Sequence, residues 1–298
     1  MTDAPVHPNH ATKGLILGLI GVLIFSGTLP ATRVAVAHFE PWFLTFGRAT
    51  LAGLAAILCL FVLRRKVPAQ HIGSLFMVGM LLVYGFPGFV ALAMTTVPSS
   101  HGGVMLGVLP LLTALFAALI GGERPSLPFW LLGLLGTLLV CVFALREGGW
   151  HFQRGDFWLL AAGLSAGLGY VIAGKLSRIL PGWEVICWAL VLTLPLSVAG
   201  SFVLWQPHFA SAPLAQNLGF LYVAFGSMFL GFFAWNTGLS LGGLARVGQL
   251  QLLQPFGTLA IAAVILGESI SISTIGFTIA IVVIVAMGRL AKVGHKRT

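Results

Sequence analysis

The chain contains one stretch of sequence twice. Residues 110–126 read PLLTALFAALIGGERPS, and 145 positions further on residues 255–271 read PFGTLAIAAVILGESIS. Without a gap, the copies share a proline, a threonine, two alanines, an isoleucine, a glycine, a glutamate and a serine. Each copy predicts an apolar helix with a proline near its start, a Gly-Glu pair at its end and another apolar run after it. Such self-similarity indicates an internal duplication, so we expect a fold of two related halves.

The composition excludes a water-soluble domain. Hydrophobic residues make up 58% of the 298 residues and charged residues only 8%, whereas soluble domains carry about 25% charged residues. We therefore predict an all-α membrane protein embedded in the lipid bilayer. A net charge of +9 would suggest nucleic acid binding in a soluble protein. Here Lys and Arg fall mainly in short loops between apolar runs, so the charge indicates membrane topology and no nucleic acid partner.

Ten apolar runs are long enough to be transmembrane helices, for which about 20 residues are needed. The predicted segments are Gly14–Val36, Trp42–Leu63, Ile72–Ala93, Gly102–Ile120, Phe129–Leu145, Phe157–Leu176, Trp183–Leu204, Leu218–Gly238, Val247–Leu266 and Ile272–Leu290.

The basic residues predict how these segments thread the membrane. A cytoplasmic N-terminus places twelve of the sixteen Lys and Arg residues on the inner side or at inner helix ends, as the positive-inside rule favours. Ten crossings then return the C-terminus to the cytoplasm. Because each half, 1–148 and 149–298, has five helices, an odd number, the second half enters from the opposite side. The sequence therefore predicts two inverted five-helix repeats, an arrangement typical of transporters.

The acidic residues indicate the charge of a central site. All seven lie in predicted loops or at helix ends: Asp3, Glu40, Glu123, Glu147, Asp156, Glu184 and Glu268. A charge at the bilayer centre is costly and persists mainly where function requires it. We therefore predict a net neutral site that favours a zwitterionic or uncharged small molecule. The chain lacks the clustered histidines and acids of an intramembrane enzyme, and its three separated cysteines predict no metal site or cofactor.

Two glutamines are the first candidates for substrate contacts. Gln251 and Gln254 precede the repeated proline at Pro255 and lie three residues apart, on one face of a helix. Lipid would leave their amides unsatisfied, so they face either a wet cavity or another helix. Hydrogen bonding between helices is the structural alternative for each.

Five further residues could complete the lining. Tyr84 lies near the centre of the third segment and carries a hydroxyl that needs a partner. Ser26, Tyr170 and Trp235 lie in the first, sixth and eighth segments, where packing is the alternative role. His101 opens the fourth segment and titrates near physiological pH, so it is either a proton-sensitive gate or an interfacial side chain.

Three prolines are predicted as hinges, and the alternative for each is a structural kink. Pro110 and Pro255 occupy matching positions in the repeat, and Pro87 follows Tyr84 within GFPG. A proline inside a helix frees a carbonyl group that water or a ligand can satisfy.

Three charged residues are predicted to be structural. Glu123 and Glu268 lie between two helices, where a carboxylate meets the positive end of the following helix; a gating salt bridge is the alternative. Arg48 lies about six residues inside the second segment. It reaches the outer interface or a wet crevice, pairs with Glu40, or contacts substrate.

These features resemble a known family. Two five-helix halves, an arginine inside the second helix (FGRATLAG around Arg48) and fourth helices that run from proline to Gly-Glu are similar to EamA-type members of the drug/metabolite transporter superfamily. Within it the chain is most similar to the bacterial aromatic amino acid exporter group, which is associated with amino acid efflux and, in some members, with the dication paraquat.

The resemblance implies a multi-pass exporter of the bacterial inner membrane. It also implies a central cavity built from helices one, three, four, six, eight and nine, with helices five and ten peripheral. Smaller multidrug members carry an essential glutamate in their first helix, and the first segment here has none. The resemblance therefore does not imply proton antiport through a glutamate in the first helix.

The sequence hypothesis is an alternating-access carrier that exports neutral or aromatic amino acids, or related small metabolites. Tyr84, Gln251, Gln254 and Trp235 are the favoured lining residues. The alternative within transport is a multidrug exporter of lipophilic cations such as paraquat, held by aromatic side chains. A receptor or structural protein is the alternative outside transport. The sequence does not specify the amino acid, the energy coupling or the oligomeric state, and a monomer is compatible with it.

Overall fold

A computed structural model describes residues 8–121, 123–242, 247, 249–290 and 293–295. Within these residues the chain forms ten apolar helical segments, here called helices 1 to 10. Eight of them are long and apolar enough to cross a bilayer, and helices 9 and 10 are shorter apolar helices. The predicted all-α membrane architecture of ten helices is confirmed.

Helices 1 to 5 form the first half, and three of its helices are built from several helical pieces. The pieces are Pro8–Ser26 and Thr28–Ala35 (helix 1), Pro41–Val62 (helix 2), Ile72–Val78, Gly79–Gly85 and Phe86–Met94 (helix 3), Ser99–Met105, Leu106–Val108 and Leu109–Gly121 (helix 4), and Leu127–Glu147 (helix 5).

Helices 6 to 10 form the second half. Their bounds are Arg154–Leu176 (helix 6), Gly182–Val203 (helix 7), Leu214–Leu221, Tyr222–Gly231 and Phe232–Gly242 (helix 8), Gln249–Leu253 and Gln254–Leu266 (helix 9), and Ile272–Leu290 (helix 10). Two short 3-10 turns, Ala69–His71 and Pro207–Ser211, lie in connections. Strands β1 (Glu123–Pro125) and β2 (Val293–His295) pair antiparallel after helices 4 and 10.

The repeat seen in the sequence reappears in the helix bounds. The last pieces of helices 4 and 9, Leu109–Gly121 and Gln254–Leu266, are both 13 residues long and lie 145 positions apart. Helices 5 and 10 begin at the same offset. Gly267, the glycine of the second Gly-Glu pair, ends helix 9 with a φ of 64°, a left-handed conformation that favours glycine. The second Gly-Glu pair therefore begins with a helix stop.

Corresponding helices of the two halves run in opposite directions. Thr50, near the middle of helix 2, hydrogen-bonds Ser201 near the end of helix 7, whereas Arg65, just after helix 2, pairs with Glu184 at the start of helix 7. Helices 4 and 9, and helices 5 and 10, also pack as antiparallel pairs. Antiparallel packing of equivalent helices is what a two-fold axis in the membrane plane requires, so the repeats are inverted.

The halves interlock. Helix 1 packs on helix 8, and helix 6 packs on helix 3, so the first helix of each half lies against the third helix of the other. The helix 1–8 contact is close because Gly14 and Gly18 meet Gly238; small residues allow such backbone approach. This exchange places helices of both halves around a common centre.

Candidate substrate cavity

A cavity lies between the two halves. Helices 1, 3, 4, 6, 8 and 9 line it, as the resemblance implies, and Arg48 of helix 2 and Val282 of helix 10 also reach it. Many lining residues are related by the 145-residue repeat. The matched pairs are Phe25 and Tyr170, Leu82 and Ser227, Pro87 and Phe232, Leu106 and Gln251, Gly107 and Leu252, and Leu109 and Gln254. Because equivalent positions line it together, the cavity lies on the axis that relates the halves.

The two sides of this cavity differ in polarity. Where helices 3 and 4 of the first half contribute Leu82, Leu106 and Leu109, the matching positions of helices 8 and 9 hold a serine and two glutamines. All lining residues from helices 3 and 4 are apolar. We call these three leucines the leucine wall and the opposite side the polar wall. The cavity is therefore suited to a molecule with one polar and one apolar end.

Arg48 supplies the charge of the polar wall. It is the eighth residue of helix 2 and is only 3% exposed. Its Nη2 lies 3.5 Å from Ser227 Oγ, which lies 2.8 Å from Thr28 Oγ1, and its Nε is buried without a hydrogen-bond partner. Glu40, the partner weighed in the sequence analysis, instead caps helix 2 through the Phe43 amide. Among the described residues, no carboxylate forms an ion pair with Arg48.

Irregular backbone surrounds the cavity in both halves. Helix 3 contains a π-helical piece at Gly79–Gly85, and helix 8 contains one at Tyr222–Gly231 that covers the equivalent positions. The 3-10 turns Leu106–Val108 and Gln249–Leu253 precede the last pieces of helices 4 and 9. Pieces of π-helix are rare and occur frequently at functional sites. Their equivalent placement in the two halves puts irregular backbone beside the cavity on both sides of the axis.

Helix 1 is interrupted at Gly27, beside the cavity. The Tyr222 hydroxyl donates to the Ile24 carbonyl at 2.7 Å, and it approaches so closely that a side chain at Gly27 would collide with it. Thr258 Oγ1 donates to the Ser26 carbonyl at 3.0 Å. Carbonyl groups near the interruption are thus satisfied by side chains of helices 8 and 9, as discontinuous membrane helices require.

Five of the predicted site residues line this cavity. Tyr170, Gln251 and Gln254 contribute polar groups, and Pro87 and Pro255 lie where helices 3 and 9 change from irregular to α-helical backbone. Arg48, predicted as structural, lines it as well. Roles in binding or in hinge motion stay predictions for all of them.

Tyr84 lies between helices 3 and 7, away from the cavity lining. Its hydroxyl donates to the Thr193 carbonyl at 2.6 Å and lies 2.7 Å from Ser197 Oγ. The side chain is buried, so its polar group is satisfied within the protein. The structure thus places Tyr84 in the packing between helices 3 and 7, and its substrate contact stays a prediction.

Ser26 and Trp235 also lie outside the cavity lining. Ser26 Oγ donates to the Val22 carbonyl at 2.8 Å and to the Gln254 carbonyl at 3.3 Å. The backbone of Trp235 packs against Gly21 of helix 1. Both residues therefore join helix 1 to the second half.

His101 does not reach the cavity lining either, but it forms a pair that the sequence analysis did not anticipate. Its Nε2 lies 2.6 Å from Asp156 Oδ1, and the two residues are 4% and 3% exposed. Asp156 Oδ2 accepts a hydrogen bond from the Gln153 amide at 2.8 Å as part of the N-terminal capping box of helix 6. The pair joins the start of helix 4 to the start of helix 6.

Glu268 caps a helix, though not the one expected. Its Oε1 accepts from the amide and hydroxyl of Ser99, and its Oε2 from the Ser100 amide, all at 2.8 Å. Ser99 and Ser100 are the first two residues of helix 4, which belongs to the other half. The helix that follows Glu268 is capped instead by Ser271, whose Oγ accepts from the Thr274 amide at 3.0 Å. The expected cap of the following helix is therefore wrong.

Two predicted residues fall on side chains that the structure does not describe. Pro110 belongs to helix 4 and Glu123 to β1, and their side chains lie outside the described part of the structure. Their predicted roles as hinge and cap stay predictions. Among the described residues, no three His, Cys, Asp or Glu side chains are grouped as metal ligands would be.

Sequence reasoning missed several residues around the site. Thr258 is one of the residues shared by the two repeated stretches, and that identity was an available signal. Ser227 lies within an unbroken apolar run, YVAFGSMFLG, where one hydroxyl indicates little. Tyr222 and Asp156 gave no signal, because their partners lie in distant parts of the chain.

Comparisons with known proteins agree with this architecture. The profile of the EamA-like transporter family matches twice, over residues 12–145 and 153–288. A solved structure, 21% identical and covering 93% of this chain and 96% of its own, superposes with a TM-score of 0.60 and shows the same fold.

Several relatives match over most of their length. The uncharacterized transporter YdeK of Bacillus subtilis strain 168 is 47% identical over 94% of this chain and 98% of its own. A probable amino-acid metabolite efflux pump of Salmonella typhimurium is 27% identical over 87% of this chain and 89% of its own. The aromatic amino acid exporter YddG of Ancylobacter novellus is 27% identical over 82% of this chain and 85% of its own.

The matches confirm the resemblance to the drug/metabolite transporter superfamily. They also place the chain among membrane transporters of small molecules rather than among enzymes. Two profile matches that cover nearly the whole sequence show that this protein belongs to the EamA-like transporter family.

Proposed function

We propose that this transporter exports amino acids with neutral or aromatic side chains, or closely related metabolites, by alternating access. The observation that carries the proposal is the two-sided cavity between inverted halves, with a buried arginine and two glutamines on one wall and leucines on the other. A free amino acid has the same division into a polar and an apolar end. Relatives named as amino acid exporters support the same substrate class.

Inverted repeats provide the conformational change. If each half can adopt the packing of the other, the cavity opens to the opposite side of the membrane. Substrate shifts this balance only through different contacts in the two states. We take residues 1–148 and 149–298 as the two halves.

The proposed location is the bacterial inner membrane, with both termini in the cytoplasm. The distribution of Lys and Arg supports this orientation. The pairing of β1 with β2 places the end of helix 10 beside the turn after helix 4, on one side of the membrane, as the six crossings between them require. Both segments would then lie on the cytoplasmic side.

Export of lipophilic cations such as paraquat has less support. Arg48 places a positive charge at the cavity, and none of the described residues that line the cavity is acidic. A dication would meet repulsion without a compensating carboxylate.

Counterflow in proteoliposomes tests the proposal. Liposomes loaded with unlabelled phenylalanine, leucine or tyrosine should accumulate the same labelled amino acid transiently and saturably. Labelled paraquat in the same vesicles tests the cation alternative, and protein-free liposomes are the control. Counterflow of paraquat without counterflow of any amino acid, or the absence of saturable amino acid flux, would contradict the proposal.

A further inference from the structure

We propose that Arg48 binds the carboxylate of the transported molecule and thereby sets its orientation in the cavity. The apolar side chain of the substrate would then lie against the leucine wall of helices 3 and 4. This inference rests on the proposed function, since it concerns the same cavity. It also narrows the substrate class to molecules with a free carboxylate and an apolar end.

The first step concerns the missing counter-ion. Arg48 is almost fully buried, and an isolated buried charge is strongly unfavourable unless it is paired. Among the described acids, Glu40 caps helix 2, Asp156 pairs with His101, Glu184 pairs with Arg65, and Glu268 binds Ser99 and Ser100. Glu147 is exposed at the end of helix 5 and does not line the cavity. The cavity therefore holds a cation that lacks an anion.

The second step concerns the guanidinium itself. Within the described part of the chain its one hydrogen bond is the 3.5 Å contact of Nη2 with Ser227, and Nε has no partner there. A guanidinium presents donors in a planar fork that matches the two oxygens of a carboxylate. Because Arg48 lines the cavity, a carboxylate bound there would meet this fork.

The third step concerns asymmetry. The position equivalent to Arg48 in the second half is Thr193 of helix 7, which does not line the cavity and bonds the Ala189 carbonyl at 2.7 Å. Among the described lining residues the cavity thus has a single positive pole, although most of its lining is pseudo-symmetric. A single pole fixes one orientation of the substrate.

The fourth step places the remaining groups of an amino acid. Amide oxygens of Gln251 and Gln254 and the hydroxyl groups of Thr28 and Ser227 are acceptors on the same polar wall as Arg48. They can accept hydrogen bonds from an ammonium group. The leucine wall offers no polar side chain to compete, so it suits an aliphatic or aromatic side chain.

Ligand analogues test the carboxylate contact directly. The melting temperature of the purified wild-type protein is measured with phenylalanine and with two analogues, phenylalanine amide and phenethylamine. The analogues keep the ring and the amino group of phenylalanine but lack its carboxylate. We expect phenylalanine to stabilise the protein at concentrations at least about 30-fold lower than the two analogues, the loss typical of one partner of a buried charge pair. Equal stabilisation by all three would overturn the proposal.

Two variants of Arg48 test the inference even if they no longer transport, because ligand binding and melting temperature are measured on the purified protein. Arg48→Leu should abolish the preference for phenylalanine over its amide, and Arg48→Lys should retain part of it. Arg48→Leu should also raise the melting temperature of the ligand-free protein, because it removes an unpaired buried charge. A purely structural arginine predicts the opposite, a lower melting temperature. Arg33→Leu is the matched control, since Arg33 lies in helix 1, bonds the Met94 carbonyl and does not line the cavity.

The outcomes separate this inference from the proposed function. If the wild-type protein shows neither amino acid counterflow nor stabilisation by any amino acid, the proposed function fails. If it transports amino acids but Arg48→Leu keeps the same preference for the carboxylate, only the anchor fails. If chloride or acetate stabilises the wild-type protein as well as phenylalanine does, Arg48 binds small anions without orienting a substrate, and the inference fails.

Discussion

Glu268 shows how one residue of the repeated Gly-Glu pair stabilises the contact between the halves. Burial alone would raise the pKa of its carboxyl group, but hydrogen bonds from Ser100 and Ser99 outweigh that effect and hold the pKa below its ordinary value. A carboxylate at the first turn of a helix also interacts favourably with the unpaired amides there. The ionised form is therefore the one that binds helix 4.

This lowered pKa predicts a pH dependence of stability. The ordinary pKa of a glutamate is about 4.3, so the stabilisation by Glu268 should be complete above that value and be lost as the pH falls through the lower value of the folded protein. In thermal unfolding at pH 7, Glu268→Gln should melt below the wild type, and the gap should close under acid conditions. Glu147→Gln, at an exposed residue, should show no such trend. A gap independent of pH would contradict the prediction.

The sequence predicted some of the residues that line the cavity and not others, and the reason is physical. Gln251 and Gln254 lie beside the repeated proline, and an amide at that depth needs a polar neighbour. Tyr84 meets the same need with a carbonyl of helix 7, and no pattern in the sequence distinguishes a carbonyl partner from water. The role of Arg48 depends on the absence of a nearby acid, which only packing can show.

Among the elements, the contact between helices 1 and 8 depends on glycine. A Cβ atom at Gly238 would lie 2.6 Å from the backbone nitrogen of Gly18 and 2.9 Å from the Gly14 carbonyl oxygen. Backbone atoms cannot rotate away, so the two helices would have to separate.

Gly238→Ala should therefore destabilise the protein by about 1–3 kcal/mol, as overpacking usually does. Gly133→Ala in helix 5 is the matched control, because nothing lies within 4 Å of its new methyl group. At Gly133 the better helix propensity of alanine should leave the free energy of unfolding unchanged or raise it by up to about 1 kcal/mol. Chemical unfolding in detergent micelles measures both. Similar losses for both variants would show that the close backbone approach is not the cause.

Most of the helices were predictable, whereas their internal irregularities were not. Long apolar runs predicted ten helices, and the observed bounds of helices 2, 7 and 10 differ from the prediction by one residue or less at each end. The π-helical pieces of helices 3 and 8 carry no sequence signature, because their residues are apolar like the rest. The interruption of helix 1 depends on Tyr222 and Thr258, which come from helices 8 and 9.

For the whole molecule, the sequence predicted the inverted repeat because the duplication and the odd number of helices in each half together require it. It did not predict how the halves interlock, since that depends on which glycine faces which helix. It also did not predict that Glu268 of one half would cap helix 4 of the other. By the 145-residue offset, the partners of Glu123 would be residues 244 and 245, which lie outside the described part of the chain.

This symmetry gives a prediction for the transport cycle. The contact of Glu268 with Ser99 and Ser100 joins the two halves, and in the proposed cycle it separates when the cavity opens on that side. A disulfide between Ser100→Cys and Glu268→Cys, made in a background without Cys59, Cys141 and Cys187, should therefore stop amino acid counterflow, and a reductant should restore it.

Each single cysteine variant treated with the same oxidant is the control and should keep its flux. Mass spectrometry of the oxidised protein establishes how much of it is cross-linked. Flux that stays unchanged in fully cross-linked protein would mean that this contact persists throughout the cycle. Alternating access would then have to proceed without separating the Glu268 turn from helix 4, and the inverted repeat would not exchange its two packings as proposed.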